Sequence, residues 1–164
     1  MKSNFRYCPV CAAGLAVSDI DGRARAACSA CGFVHWNNPV PVVAALVEMA
    51  SGDLVLVHNK SWAPRVLGLV TGFVEAGESP EQAVLREVRE ELGLEASLGG
   101  LIGLYPFSAM NQLIIAYHVR ATGEICLGDE LDQYKLISPT ALKPWSFGTG
   151  LAVADWLKQR TSAV

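Results

Sequence analysis

The rhythm of apolar and polar positions changes several times along the chain. From Pro39 the runs PVPVVAALVEMA and DLVLVHNK are dense in β-formers. Ser51-Gly52-Asp53 splits them, which predicts two strands joined as a hairpin. Val84, Val88 and Leu92 then recur at i, i+4 and i+8, the spacing of a helix with one buried stripe. Ser79 fits its N-cap, Pro80 its first turn and Gln82 the third position of a capping box, and Gly93 closes it. Three further strand-like runs follow, LGGLIGLY, NQLIIAYHVRA and QYKLIS, before a last helix from about Gly148 to Arg160. Strands interleaved with two helices predict a mixed α/β sandwich. There is no internal repeat and no low-complexity tract.

Residues 1–38 have a different texture. They are too few to bury a self-sufficient core. Asp21-Gly22 reads as a hairpin turn, and Asn37-Asn38-Pro39 as a boundary, so the expected domains are 1–38 and 39–164. The short segment holds two Cys-x-x-Cys pairs, Cys8/Cys11 and Cys28/Cys31, with 16 residues between them. This spacing fits four thiolates around one Zn²⁺, and the alternative is a redox dithiol or disulfide pair. Gly14 and Gly32 follow the pairs and suit the tight turns such a site needs. A zinc ribbon of short strands is expected, with Zn²⁺ in a structural role. Cys126 stands alone and reads as a small core residue of a strand.

Composition narrows the class. Apolar residues make up 51% and charged residues 18%, which excludes a disordered chain. Thirteen Lys+Arg against sixteen Asp+Glu give a net charge of −3, so the whole chain is no polycation for coating nucleic acid. Runs such as Val40 to Val47 are about half the ~20 residues a membrane-spanning helix needs. The N-terminus shows no apolar signal region, so a cytoplasmic location and reduced thiols are expected.

The acidic residues concentrate in one place. Seven of the fourteen that follow Pro39 lie between Glu75 and Glu95. At about 100° per residue, Glu87, Glu90 and Glu91 share an arc of roughly 100° on the predicted helix. Like charges at i, i+3 and i, i+4 destabilise an exposed helix by about 0.2–0.5 kcal/mol per pair. Either the face is merely solvated, with Arg86 and Arg89 in partial compensation, or a hard divalent cation offsets the repulsion.

The full string, from Gly72-Phe73-Val74-Glu75-Ala76-Gly77-Glu78 through Arg86-Glu87-Val88-Arg89-Glu90-Glu91-Leu92-Gly93-Leu94, resembles the Nudix box, G-x5-E-x7-R-E-U-x-E-E-x-G-U with U apolar, at every defined position. The resemblance covers Pro39 to about Arg160. It implies an α/β/α Nudix sandwich and divalent-metal-dependent hydrolysis of the pyrophosphate bond of a nucleoside diphosphate derivative. It further implies that Glu87 and Glu91 ligate Mg²⁺ or Mn²⁺, that Glu90 shares an ion or activates water, and that the Thr71 carbonyl is a further ligand. Glu78 and Arg86 are implied as an ion pair tying loop to helix, and Gly72 as a site of close backbone approach. A further carboxylate is often supplied late in such domains. The expected position is Gln133, with Asp129, Glu130 and Asp132 close by.

A four-cysteine ribbon leading into a Nudix domain, with Phe73 inside Gly-Phe-Val-Glu, resembles NADH pyrophosphatases. Of that family's later S-Q-P-W-P-F-P-x-S signature only Pro106-Phe107 matches, with Tyr105 in place of Trp. The implied substrate is a dinucleotide such as NAD(H); alternatives are ADP-ribose, FAD, a nucleoside triphosphate, or a non-catalytic nucleotide-sensing or RNA-binding role. Phe73, Tyr105 and Phe107 are candidate ring-binding residues, with core packing as the other reading of Tyr105 and Phe107. Trp62, Arg65, Asn59 and Lys60 precede the loop and either contact substrate or are packed or solvated. His35, His58 and His118 carry no catalytic pattern. The expected partners are a small nucleotide and no membrane, with nucleic acid and a homodimer left open.

Overall fold

Asp21 and Gly22 adopt left-handed φ values of 53° and 74°, the conformation a two-residue hairpin of type I′ needs. They join β1 (Ala16–Ile20) to β2 (Arg23–Ala27) in an antiparallel register that ends at Ile20 opposite Arg23. The short β3 (Val34–His35) adds to the other edge of β2. The structure, a computed structural model, describes residues 5–162. It divides into two compact units, Met1–Pro39 and Val40–Val164. In the first, both Cys-x-x-Cys segments close as tight turns: the Ala12 amide donates to the Cys8 carbonyl and the Gly32 amide to the Cys28 carbonyl. Gly32 takes a φ of 78°, but in the first turn the left-handed residue is Ala12, at 59°, and not the expected Gly14.

The second unit is built on a six-stranded mixed sheet. Its strands are β4 (Val40–Met49), β5 (Leu54–Asn59), β6 (Val70–Phe73), β7 (Glu95–Phe107), β8 (Gln112–Thr122) and β9 (Leu131–Ile137). The order is β7-β8-β4-β5-β9, with β6 also paired to β4. Only β4 and β8 run parallel; the other pairs are antiparallel.

β4 sits centrally and explains its unbroken apolar run. Val43, Ala45 and Val47 face one core with Val84, Val88 and Leu92 of helix α1 (Pro80–Leu92). Ala44 and Leu46 face a second core with Ala152, Val153 and Trp156 of helix α2 (Gly150–Ser162). A strand covered on both faces has no polar side to show. The architecture is therefore α/β/α, as the box implied. Helix α1 has its full capping box: Gln82 N–H donates to the Ser79 hydroxyl, and Ser79 N–H to the Gln82 side chain. Gly93 ends it at a φ of 66°. Among the described residues no helix is long and apolar enough to cross a membrane.

Two expectations need correction here. Cys126 is not a core strand residue; it lies exposed in the segment after β8, where its amide caps the Leu92 carbonyl at the end of α1. Tyr105 is not ring-binding. It is buried in the α2-side core, its hydroxyl donating to Asp155 at 2.9 Å. Burial first, then Asp155, pushes that phenol up to about 12.

Candidate active site

β6 and α1 bring the box together. Gly72 lies in β6, paired with Val43, and the Glu87 carboxylate packs against its α-carbon so closely that a Cβ there would overlap it. A side chain at this position would have to push the Glu87 carboxylate, the flexible end of that residue, off the loop. Arg86 organises the rest. Its guanidinium donates to both oxygens of Glu78 (2.8 and 3.1 Å), to Glu87 (2.7 Å), to Glu90 (2.9 Å) and to the Phe73 carbonyl (3.0 Å). The Glu75 amide donates to Glu78, so one arginine stitches the whole 73–78 loop to α1. Arg86 beside it holds the Glu78 carboxyl below its usual range. The expected Glu78–Arg86 pair is present, and it is one spoke of this larger hub.

The three helix carboxylates differ in environment. Glu90 is exposed, Glu87 half-buried and Glu91 buried at 7% exposure. Burial first, then the charges of Glu87, Glu130 and Glu90, push the Glu91 carboxyl up to about 8. Burial also raises Glu87, against the pull of Arg86. The segment after β8 delivers Glu130. Its Cys126 and Gly128 amides donate to the Leu92 and Glu91 carbonyls, satisfying the end of α1. A Cβ at Gly128 would crowd the Glu90 carbonyl. Of the late acidic candidates, only Glu130 contributes to the charge on Glu87 and Glu91. Asp132 instead binds His58 at 2.6 Å, and Gln133 lies opposite His58 in the β5–β9 register.

Glu87, Glu90 and Glu91 crowd like charges on one helix face, and an oxygen-only donor set is the kind a hard divalent ion takes. The ribbon cysteines fit Zn²⁺ likewise. Their four sulfurs lie within 4.8 Å of one another, with Cys8–Cys31 and Cys11–Cys28 at 3.5 Å. Tetrahedral Zn–S bonds of about 2.3 Å place sulfurs about 3.8 Å apart. Backbone amides, Cys31 first, lower the Cys28 thiol to about 7; Cys31, despite the Phe33 amide, is pushed up to about 12 by Cys11 and Cys8.

Gly72 also lines an apolar cavity of about 650 Å3. The candidate ring-binding residues Phe73 and Phe107 line it, together with Thr71, Trp62, Trp145, Phe147 and Gln112. The Trp62 ring lies flush on Gly68, where a Cβ would press into it. Trp145 and Phe147 were not foreseen. Their signal was weak, two aromatic residues in a Pro- and Gly-flanked loop before α2. Asn59 links the two halves of the site. Its amide nitrogen donates to Glu130 at 3.2 Å, and its oxygen accepts from the Ser61 amide and hydroxyl at the foot of the Trp62 loop. His58, with no catalytic pattern in the sequence, holds the same loop at the Ala63 carbonyl, and Asp132 raises its pKa.

With a carboxylate-bearing helix and a glycine loop placed on an α/β/α sandwich, comparison with known proteins gives the family. The NUDIX domain model matches residues 38–155, and the Nudix N-terminal zinc-ribbon model matches residues 6–37. The chain belongs to the Nudix family. It is 32% identical over 141 residues to the NAD-capped RNA hydrolase NudC of Pseudomonas aeruginosa, covering 85% of this chain and 50% of that protein. The chain thus spans about half the length of the curated relatives it matches. Among solved structures, a NUDIX hydrolase from Nitrosomonas europaea aligns with a TM-score of 0.81 at 20% identity, over 96% of this chain and 93% of that one. An ADP-ribose pyrophosphatase from Streptococcus suis aligns at 0.61 and 19%, over 75% and 92% respectively, a likeness of fold.

Proposed function

We propose that the chain hydrolyses the pyrophosphate bond of a NAD-type dinucleotide, releasing two nucleoside monophosphates. The observation that carries this is the double role of Gly72. It touches the Glu87 carboxylate and it also lines the aromatic cavity. A substrate with its phosphates at this glycine has a ring within reach of the cavity. Glu87, Glu90, Glu91 and Glu130, with the Thr71 carbonyl, would hold the divalent ion. When bound, that ion neutralises phosphate charge and acidifies water.

The chain's own residues do the rest. Phe73 and Phe107 offer ring faces, and Gln112 offers both a donor and an acceptor to a carboxamide or base edge. Arg86 holds the Phe73 carbonyl and Glu87 in register, which orients the loop toward the phosphates. Of the three carboxylates on α1, Glu90 is the exposed one and is open to the proton of the attacking water. Similarity to the NudC proteins supports the NAD moiety, free or at the end of an RNA, as the group recognised. The test is product analysis with Mg²⁺ and a panel of NADH, NAD, ADP-ribose, FAD and nucleoside triphosphates. Cleavage of NADH to two monophosphates is expected. Phe107→Ala is expected to reduce NADH turnover more than ADP-ribose turnover. Equal losses, or no cleavage of NADH, would shift the assignment to ADP-ribose.

A further inference from the structure

The ribbon unit carries a cavity of its own, also about 650 Å3. Arg23 and Arg25 of β2 line it, with the rings of Phe5, His35 and Trp36. The Arg25 guanidinium lies over the Trp36 ring, 4.8 Å from its centroid, and donates to the Trp36 carbonyl. Phe5 and His35 form a tilted ring pair with centroids 4.8 Å apart. Phe5 and Trp36 nevertheless stay 54% and 48% exposed. Neither aspartate of this unit lines the cavity, nor do the four cysteines whose thiolate charge would oppose an anion.

The charge distribution sharpens the point. Lys2, Arg6, Arg23 and Arg25 against Asp19 and Asp21 leave residues 1–39 with a surplus of two positive charges. With a net charge of −3, the rest of the chain has a deficit of five. The cavity beside Gly72 has the opposite chemistry, with no ionisable side chain in its lining. A guanidinium pairs with phosphate oxygens, and an exposed ring stacks on a base of any identity. An apolar protein surface would strip water from both arginines without pairing them. A duplex keeps its base faces stacked on one another, out of reach of rings. Phosphates alternating with free base faces are the repeat of an unpaired strand.

We propose that the ribbon groove binds single-stranded nucleic acid, with Arg23 and Arg25 on phosphates and Phe5 and Trp36 against bases. The binding requires no hydrolysis, so it stands or falls separately from the pyrophosphatase reading. Arg25 and Trp36 are 11 residues apart in sequence and meet through the pairing of β2 with β3, which sets His35 opposite Ala26 and so brings Trp36 alongside Arg25.

The test uses the full chain, without added divalent ion, and a fluorescein-labelled RNA of about 12 nucleotides, within the usual span of such sites. Anisotropy titration is expected to show saturable, salt-dependent binding. Trp36→Ala should weaken it about tenfold, the effect of losing one stacking ring. Arg23→Gln should lower the slope of log affinity against log salt by about 0.7, one phosphate contact to a single strand. Both variants should keep their zinc content, which shows that the ribbon still folds, and should hydrolyse NADH at the wild-type rate. Unchanged RNA affinity and slope in both zinc-loaded variants would overturn the proposal. So would equal affinity for a blunt duplex of the same sequence. Sedimentation showing a wild-type dimer that Arg23→Gln dissociates, with RNA affinity untouched, would assign the groove to a second copy instead.

Discussion

Glu91 shows how one buried side chain ties stability to ligand binding. Its carboxyl is pushed up to about 8 from an ordinary 4.5, so the metal-free fold keeps a proton that the unfolded chain releases. Between about pH 4.5 and 8 the folded state binds more protons, and stability falls as pH rises across that window. Glu91→Gln removes this slope. Melting curves without divalent ion are expected to place the variant several degrees above wild type at pH 8 and level with it near pH 4.5. Turnover should fall by more than the ~10–100-fold typical of outer-shell partners, and Glu87→Gln should behave similarly. Retained activity in both variants would mean that another face of α1 does the chemistry. Gly72→Ala tests the same contact from the loop side. The added methyl overlaps the Glu87 carboxylate, so kcat should collapse while stability drops by only about 1–3 kcal/mol, the range for a local overpacking.

Helix α1 is held at both ends by devices that also shape the site. At the start, the Ser79–Gln82 capping box satisfies two orphan amides, and Ser79→Ala is expected to lower the unfolding free energy by about 1 kcal/mol in denaturant titration. At the end, the segment carrying Cys126 and Gly128 takes up the last carbonyls and in doing so sets Glu130 beside the helix. Asn59 holds that carboxylate from the β5 side. Asn59→Ala should lower kcat about tenfold and weaken Mn²⁺ binding measured by titration, with the melting temperature nearly unchanged. A change in KM alone would assign Asn59 to the Trp62 loop rather than to Glu130.

At the scale of the molecule, the two units rest on different sources of stability. The Val40–Val164 unit buries two apolar cores, one on each face of its sheet. In the Met1–Pro39 unit, Ala26 and the cysteines Cys8 and Cys28 are the buried apolar side chains among the described residues, too little for a core. The purified protein is expected to contain about one zinc per chain, held by Cys8, Cys11, Cys28 and Cys31. Chelation should then unfold the ribbon in a separate, early step while the sandwich melts at its usual temperature. A single unchanged transition after zinc removal would show that the ribbon needs no metal.

Local chemistry alone determined much of this protein. The capping box, the glycine stop, the Asp21-Gly22 turn, the paired cysteines and the carboxylate face all act over a few residues, where spacing dictates geometry. The box residues from Gly72 to Glu91 were legible through their resemblance to the Nudix box, since spacing alone left the acidic face either solvated or cation-binding. Long-range pairing decided the rest. Which late acid's charge reaches Glu87 and Glu91 depends on how the segment after β8 crosses the end of α1, and it is that of Glu130, while Asp132 is paired with His58. Tyr105 and Phe107 are two residues apart in a regular stretch of β7 and so share a face; Tyr105 is buried in the α2-side core, while Phe107, at the strand end, packs on the edge of that core and lines the cavity. Trp62, Trp145 and Phe147 come from loops separated by some 80 residues of chain, and only the closing of the sheet brings them to one wall. Periodicity records which side of an element is apolar; which other element covers that side is a property of the assembled core.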